Sequence, residues 1–399
     1  MSAVVFDNVD IVFGDRAAEA IRLIDAGHSR EEILGRTGVV LGAAGVELSV
    51  EPGEICVLMG LSGSGKSTIL RAVNGLNKIA RGRVLVQDGD RQVDVAHCSA
   101  AQLRALRTRR IAMVFQQFAL LPWRTVKENV ALGLELRGAS KAEIDRVVTD
   151  KLALVGLSQW ASKFAHELSG GMQQRVGLAR AFATDADILL MDEPFSALDP
   201  LIRDKLQDEL LALQKAMRKT IIFVSHDLDE AMKLGNRIAI LEGGRVVQWG
   251  TAEEILLQPA NDYVAEFVKH MNPLNVLRGG AMMTPAATLE REGSHVWLDK
   301  RGRIRVALDD EGRPRSCTLD GAVGALVSAE EATGAEARRA DIIVAPVDLK
   351  MRMAIELRRV SGNPIVLVDQ LGRMAGLCGD DEIYRALLRA RGADAQPAA

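Results

Sequence analysis

The sequence predicts an α/β protein with a mostly parallel sheet, followed by a smaller α+β domain. An apolar strand at residues 55–59 leads into a helix, and between residues 188 and 241 short apolar strands alternate with helical segments. Strands joined by helices in this way form parallel sheets. Beyond about residue 275 the pattern changes to short strands around polar turns. With 399 residues, the chain has room for two or three domains.

Each element of the first domain follows from a local pattern. Alternating polarity predicts strands, apolar residues three or four apart predict helices, and Gly, Pro and Asp mark turns. Capping boxes that mark helix starts are Ser29 with Glu32, Thr125 with Glu128, and Ser140 with Glu143. The predicted order is a strand at 4–13, a helical segment at 15–37, a strand at 46–50, a turn at Pro52 and Gly53, a strand at 55–59, a helix at 65–73, a hairpin over 83–95 turning at Asp88 and Gly89, a mainly helical region over 99–185, and the alternation 188–191, 203–218, 220–224, 227–234 and 237–241.

The second domain is predicted to begin near Asn272 and Pro273, so that the domains span residues 1–272 and 273–399. Residues 295–318 predict small antiparallel strands. Residues 342–390 predict the order β-α-β-β-α. The last eight residues have the composition of a disordered tail.

The composition is ordinary for a soluble globular protein and disfavours a nucleic-acid partner. Hydrophobic residues make up 48% of the chain, charged residues 26%, and the net charge is −3. Because proteins that bind nucleic acid usually carry a surplus of basic residues, we expect no nucleic-acid partner for this chain. No basic segment precedes an apolar core at the N-terminus, and no uncharged apolar run approaches the roughly 20 residues that span a bilayer. We therefore expect neither a signal peptide nor a membrane-spanning helix.

The four cysteines predict neither a zinc site nor a disulfide framework. They are far apart and none belongs to a C-x-x-C pair. Unpaired cysteines suit a reducing cytoplasm. The four are Cys56, Cys98, Cys317 and Cys378.

A glycine-rich loop predicts a phosphate site. Residues 60–67 match the pattern G-x-x-x-x-G-K-[ST] between an apolar strand and a helix, the context that makes the pattern specific. Backbone amides of such a loop converge on phosphate oxygens. Lys66 is expected to reach the β- and γ-phosphates, and Ser67 to ligate Mg²⁺. The candidate loop residues are Gly60, Ser62, Gly63, Ser64, Gly65, Lys66, Ser67 and Thr68.

Polar residues end three further predicted strands at the same sheet edge. Asp192 is placed to hold Mg²⁺ through water, and Glu193 to polarise an attacking water. His226 is a candidate γ-phosphate partner, although a lone histidine is more often structural. Gln116 is a candidate sensor of Mg²⁺ or of the attacking water, but its neighbour Gln117 fits equally well on physical grounds.

Phe13 has two interpretations. It alternates with Val9 and Ile11, so it suits either core packing or stacking on an adenine ring.

The segment LSGGMQQR at residues 168–175 completes a resemblance to the ATP-binding subunits of ABC transporters. The resemblance covers residues 1 to about 270. It implies that ATP and Mg²⁺ are bound, that Gln116, Glu193 and His226 take the roles above, that Ser67, Gln116 and Asp192 hold the metal, and that Phe13 stacks on adenine. The family's motifs occur in its order: Walker A at 60–67, Q-loop at Gln116, signature at 168–175, Walker B at 188–193, D-loop at 196–199 with Asp199, and the switch His226.

The same resemblance implies a homodimer. Ser169, Gly170, Gly171 and the nearby Gln173 stand at the start of a predicted helix, which offers a second anion-binding N-terminus. In the family this helix faces the phosphates held by the other subunit. Two chains are therefore expected to enclose two ATP molecules.

A closer resemblance is to the glycine betaine, proline betaine and choline importers. It rests on the insert at 15–44, the phosphate loop, and residues 115–122 and 197–203. It implies an ATPase subunit at the cytoplasmic face of the inner membrane, integral permease subunits as partners, and an extracytoplasmic solute-binding protein. Members commonly carry two cystathionine-β-synthase-type (CBS) units. Residues 335–392 resemble one, whereas 280–330 do not.

Three alternatives stay open from the sequence. One is an importer for another small solute such as an amino acid or polyamine, and the second is a soluble ABC ATPase outside transport. The third is a ligand sensor with a vestigial ATPase, which the intact Lys66, Asp192, Glu193 and His226 disfavour.

Overall fold

The structure is a computed structural model that describes residues 1–269, 271–332 and 341–390. The chain divides into two compact units, Met1–Ala252 and Glu253–Ala399. The division thus precedes the boundary placed at Asn272 and Pro273 from the sequence. Within the second unit, the carboxylate of Glu253 accepts a hydrogen bond from the backbone of Arg278.

The first unit alternates strands and helices as predicted. Helices separate the five parallel strands of one sheet along the chain, and the other sheet of this unit is antiparallel. In chain order the elements are β1 (Val4–Phe13), α1 (Ala17–Asp25), α2 (Arg30–Thr37), β2 (Val40–Val50), β3 (Ile55–Gly60), α3 (Lys66–Val73), β4 (Arg81–Asp88), β5 (Arg91–Asp94), α4 (Ala100–Arg109), β6 (Ile111–Val114), α5 (Val126–Arg137), α6 (Lys141–Leu154), α7 (Gly170–Ala183), β7 (Ile188–Asp192), α8 (Pro200–Met217), β8 (Thr220–Val224), α9 (Leu228–Leu234), β9 (Arg237–Glu242) and β10 (Arg245–Gly250).

The site-bearing sheet has the order β10-β9-β3-β8-β7-β6. Strands β9, β3, β8, β7 and β6 run parallel, and β10 joins β9 as an antiparallel edge. The predicted parallel sheet is therefore confirmed. Because parallel strands share one carboxyl edge, the residues that follow β3, β7, β8 and β6 are brought together there.

A second sheet packs over the same core. It is antiparallel, with the order β2-β1-β4-β5. Its inward residues and the parallel sheet form one apolar cluster around α3, which fixes the phosphate loop relative to both sheets. Between β1 and β2, helices α1 and α2 form the predicted insert, and Ser29 caps α2 in a complete capping box with Glu32.

Local differences from the prediction have simple causes. The hairpin turns at Gly89 and Asp90, one residue later than predicted, because Asp88 still pairs with Arg91 in the ladder. Helix α8 begins at Pro200 rather than 203, since Asp199 caps it and proline suits the first helical position.

The predicted capping boxes of the helical region differ in outcome. Thr125 and Glu128 form a complete box. Ser140 accepts the amide of Glu143, but within the described residues the carboxylate of Glu143 makes no return bond to Ser140. The helical region over 99–185 contains α4 to α7, two short 3₁₀ turns and strand β6, which pairs with β7 in the parallel sheet.

The second unit contains two sheets that share one apolar cluster. An antiparallel meander occupies the segment predicted as small strands, and the predicted β-α-β-β-α order follows it, so both predictions are confirmed. The tail at 391–399 lies outside the described residues. The elements are α10 (Ala252–Leu257), α11 (Asp262–Val268), α12 (Pro273–Val276), α13 (Gly279–Met282), β11 (Thr284–Pro285), β12 (Arg291–Glu292), β13 (His295–Trp297), β14 (Ile304–Leu308), β15 (Pro314–Leu319), β16 (Ala322–Gly324), β17 (Leu326–Ser328), α14 (Ala329–Glu331), β18 (Ile342–Pro346), α15 (Met351–Ser361), β19 (Ile365–Val368), β20 (Met374–Cys378) and α16 (Asp380–Ala390).

Among the described residues, no helix is long and apolar enough to cross a membrane.

Candidate active site

The phosphate loop joins the end of β3 to the start of α3 and requires glycine at two positions. A Cβ on Gly60 would lie 2.2 Å from the carbonyl oxygen of Leu241, and one on Gly65 would lie 2.5 Å from that of Gly42. Both glycines also have positive φ, 140° and 103°. Only glycine fits this path, which exposes the loop backbone to a ligand.

Lys66 lies folded against its own loop. Its Nζ donates to the carbonyl oxygens of Gly60 and Leu61, both at 2.9 Å. Burial lowers the pKa of Lys66, while the nearby carboxylates of Glu193 and Asp192 raise it. The ammonium is therefore held on carbonyls that incoming phosphate oxygens would replace.

The loop also holds a hydroxyl that suits a phosphate. The buried Ser64 Oγ has no hydrogen-bond partner in the described structure. A buried hydroxyl without a partner is costly, and a phosphate oxygen would satisfy it.

Asp192 ends β7 beside the loop. Its carboxylate is fully buried, with Oδ1 accepting from Ser67 Oγ at 2.7 Å and Oδ2 paired with Arg71 at 2.9 Å. The structure thus brings together Ser67 and Asp192, two of the three residues predicted to hold Mg²⁺.

Glu193 follows Asp192 in a strained backbone conformation. Its φ of 49° lies in the left-handed region, which costs a residue other than glycine about 1–3 kcal/mol. Hydrogen bonds of both backbone groups of Glu193 hold this conformation. Its amide donates to the carbonyl of Val224, and its carbonyl accepts from Gln174 at 3.1 Å and from Ser196 at 3.0 Å. Strain maintained in this way directs the carboxylate into the cleft.

Gln116 and His226 both approach that carboxylate. Gln116 Nε2 lies 3.4 Å from Glu193 Oε2, and His226 Nδ1 lies 3.6 Å from the same oxygen. Gln116 lines the cleft, and Gln117 is not among its lining residues. The structure therefore places Gln116, the first of the two candidates, at the site.

The cleft has a volume of about 370 Å³, and the aromatic ring of Phe13 is part of its lining. Phe13 is 43% exposed, whereas Val9 and Ile11 on the same strand are fully buried, so Phe13 is not a core residue. The lining comprises Phe13, Arg30, Val40, Gly42, Ser62, Gly63, Gly65, Lys66, Ser67, Thr68, Gln116, Glu193 and His226.

The signature residues lie elsewhere on the same chain. Ser169 caps α7 by accepting the amide of Met172, and Ser169 and Gly170 are exposed. Gln173 donates to the carbonyl of Leu168 at 3.1 Å. In the part of the chain that the structure describes, none of these residues lines the cleft of Lys66. One chain therefore presents a phosphate loop and an open helix N-terminus at separate places.

The D-loop is packed on the signature helix. Asp199 is exposed and caps α8 through the amide of Ile202. A Cβ on Gly171 would lie 3.0 Å from the carbonyl of Ala197, so glycine permits a close approach. Gln174 also joins the two segments, because its Oε1 accepts from the amide of Ala197 at 3.0 Å.

Two residues at or near this site escaped the sequence predictions. Gln174 bridges α7 to the carbonyl of Glu193, and Arg30 of the insert lines the cleft. Gln174 stands inside the LSGGMQQR segment, where its nearly complete burial could not be foreseen. No local pattern marks Arg30, because its contact is with a loop 33 residues later.

A phosphate loop on a parallel sheet, an Asp-Glu pair at the neighbouring strand end, and a separate LSGG helix define an ABC-type ATPase. Residues 43–196 match the family model described as ABC transporter. The chain belongs to the family of ABC transporter ATP-binding proteins.

Two relatives are similar well beyond the matched segment. The chain is 43% identical over 394 residues to the glycine betaine/proline betaine transport system ATP-binding protein ProV of Escherichia coli, covering 96% of each chain. It is 46% identical to the glycine betaine transport ATP-binding protein OpuAA of Bacillus subtilis, covering 76% of this chain and 70% of that protein.

Among solved structures, the ATP-binding cassette MJ0796 in a dimeric post-hydrolysis state bound to ADP and Pi is similar. The TM-score is 0.54 and the identity 32%, and the match covers 62% of this chain and 97% of that one.

Proposed function

We propose that this chain hydrolyses ATP to energise the import of a quaternary ammonium osmoprotectant, such as choline, glycine betaine or proline betaine, through a membrane permease. The proposed solute class rests on the extent of the similarity to ProV. This similarity spans 96% of both chains and therefore includes the second unit. A likeness confined to the ATPase motifs would support transport without favouring a solute.

ATP fills the cleft in one orientation. The adenine stacks on the exposed ring of Phe13, and the phosphates enter the loop from Gly60 to Thr68. Loop amides, the N-terminus of α3 and the unpartnered Ser64 hydroxyl bind phosphate oxygens. Lys66 exchanges the carbonyls of Gly60 and Leu61 for the β- and γ-phosphates.

The residues beside the loop fit Mg²⁺. Ser67 and Asp192 have the oxygen atoms that Mg²⁺ prefers as ligands. Gln116, whose amide nitrogen lies 3.4 Å from Glu193, has an amide oxygen as a third candidate ligand. A Mg²⁺ ion held by these residues would neutralise charge on the phosphates. Arg71 keeps the second oxygen of Asp192 paired, which orients its carboxylate towards Ser67.

Hydrolysis needs an ordered water and a base. Glu193 accepts a proton from the water as the water oxygen attacks the γ-phosphorus and ADP leaves. Gln116 and His226 approach the same carboxylate oxygen of Glu193, which places both beside the base. In this proposal Gln116 senses Mg²⁺ or the attacking water, and His226 bonds to the γ-phosphate.

The second half of the site comes from another copy of this chain. The exposed N-terminus of α7, with Ser169, Gly170 and Gly171, offers amides and partial positive charge to phosphates. Two chains then enclose two ATP molecules, each bound by Lys66 of one chain and Ser169 of the other. The dimeric MJ0796 cassette bound to ADP and Pi supports this arrangement.

We assign the permease contact to residues 118–123, which follow Gln116. Trp123 is 72% exposed there, and an exposed tryptophan suits a protein partner. Phe118 and Ala119 have positive φ and are held by Arg180, which donates to both carbonyls at 2.9 and 2.7 Å. Arg180 lies on α7, so this surface is connected to the signature helix. The chain accordingly works at the cytoplasmic face of the inner membrane, and the solute-binding protein meets only the permease.

The second unit is assigned a regulatory role. Its β18-α15-β19-β20-α16 order supports one CBS-like unit, and the meander stands where a second unit would be degenerate or replaced.

Reconstitution of the chain with its permease and solute-binding protein tests the proposal. Choline, glycine betaine and proline betaine are compared with an amino acid and a polyamine. At least one quaternary amine should stimulate ATP hydrolysis several-fold, and the other solutes should not. Stimulation by the amino acid or polyamine alone would contradict the proposed solute class.

A further inference from the structure

Arg30 brings a positive charge from the insert into the nucleotide cleft. It is the first residue of α2 and lines the same cleft as Phe13, Lys66 and Glu193. Its Nη1 donates to the carbonyl of Gly63 in the phosphate loop. Within the described residues, no carboxylate forms an ion pair with Arg30.

The position of Arg30 is set by a rigid support. Helices α1 and α2 bury Ile24 and Ile33 against β2. Arg81 pairs with Asp25 of α1 at 2.7 Å and with the buried Asp10 at 2.5 Å. The capping box at Ser29 fixes the turn immediately before Arg30. Because this support fixes the backbone at Arg30, only the torsions of its side chain have to be ordered when it binds a ligand.

The chemistry of the guanidinium suits a phosphate better than a carbonyl. A guanidinium carries five N–H donors in a planar fork, which matches the oxygens of a phosphate group. The carbonyl of Gly63 accepts from only one terminal nitrogen. An anion in the loop beside Gly63 would therefore offer Arg30 both more acceptors and an opposite charge.

We propose that Arg30 is a nucleotide-binding residue, contributed by the insert, whose guanidinium pairs with the phosphate chain of ATP. This inference rests on the proposed nucleotide site and adds to it a second cation beside Lys66. The two cations differ in origin: Lys66 belongs to the phosphate loop itself, whereas Arg30 reaches it from an insert between β1 and β2.

The test compares Arg30→Gln and Arg30→Lys with Arg36→Gln. Arg36 lies on the same helix, bonds to His28 and does not line the cleft. Dissociation constants of ATP and adenosine are measured by competition with a fluorescent ATP analogue. Arg30→Gln should raise the Kd of ATP about tenfold and leave that of adenosine unchanged, since adenosine has no phosphate. Arg30→Lys should have a smaller effect, and Arg36→Gln should stay within about twofold of the native protein.

Two outcomes overturn the proposal. One is an unchanged Kd of ATP in Arg30→Gln. The other is an equal loss of ATP and adenosine affinity together with a lower thermal midpoint without ligand, which would assign Arg30 a purely structural contact with Gly63. Native protein that bound no ATP would instead contradict the nucleotide site itself. Lys66→Ala serves as the reference for a damaged phosphate loop.

Discussion

At the scale of single residues, sequence and structure agree most closely on the catalytic role proposed for Glu193. Its place after an apolar strand predicted a carboxylate at the sheet edge, and the structure adds a φ of 49° and two neighbours, Gln116 and His226, near one carboxylate oxygen. A strained backbone beside polar groups is characteristic of a functional position. The geometry supports Glu193 as the base.

Glu193→Gln is therefore expected to retain ATP binding and nearly abolish hydrolysis. The amide preserves the size of the side chain but cannot accept the proton of the attacking water. Phosphate release measures turnover, and competition with a fluorescent ATP analogue measures affinity. We expect turnover to fall by at least about a hundredfold.

A matched control is Glu47→Gln, since Glu47 is exposed on β2 and outside the cleft. It should hydrolyse ATP at the native rate. Turnover at the native rate in Glu193→Gln would show that Glu193 is not the catalytic base.

The residues that the sequence did not predict share one property. Glu193 and Lys66 sit in local patterns that carry their chemistry, whereas Arg30 and Gln174 act through contacts with distant segments. Arg30 contacts a loop 33 residues away, and Gln174 bonds to Glu193 and Ala197, 19 and 23 residues away. Such contacts depend on how elements pack, which a periodic pattern does not contain.

At the scale of elements, the signature helix α7 connects three parts of the site. Its N-terminus is exposed, its Gln174 bonds to the backbone of Glu193 and of the D-loop, and its Arg180 holds the segment after Gln116. Burial lowers the pKa of Arg180, yet its two carbonyl partners keep its donors bonded. A movement of α7 would therefore displace both Glu193 and residues 118–123.

Gln174→Leu tests this connection. The side chain is 1% exposed, and leucine would leave the amide of Ala197 without its partner. We expect the free energy of unfolding to fall by about 1–3 kcal/mol. We also expect the maximal rate of ATP hydrolysis to fall about tenfold with little change in ATP affinity, because Glu193 is displaced and the loop is not.

The control for this variant is Gln87→Leu, whose amide reaches only the exposed turn at Gly89. Chemical denaturation and steady-state ATPase assays give both quantities. Native turnover in a destabilised Gln174→Leu protein would show that the bridge is structural only.

Element boundaries were predictable where capping residues mark them. Ser29 and Thr125 cap α2 and α5 as the sequence indicated, because a capping box is a local interaction. The hairpin turn shifted by one residue, since the ladder pair of Asp88 with Arg91 decides where the strand ends. The division before Glu253 reflects contacts between residues distant in sequence, and no change of composition marks it.

At the scale of the whole molecule, we propose that the nucleotide cleft and the exposed N-terminus of α7 are two half-sites. The cleft of Lys66 lacks the signature residues in the described structure, and the helix N-terminus at Ser169 is open. In the proposed dimer, two chains close around two ATP molecules, and opening after hydrolysis would couple ATP to movement of a permease. Ser169 is thus proposed to act on ATP held by the other chain.

Light scattering of the hydrolysis-deficient Glu193→Gln protein tests that claim most directly. With ATP, its mass should double, and adding Ser169→Arg should keep it at one chain while ATP affinity is unchanged, because the new side chain blocks only the contact between chains. Ser158→Arg, at an exposed position of the same helical region, should still allow the doubling. ATP-dependent doubling that persists in the Ser169→Arg protein would contradict the account.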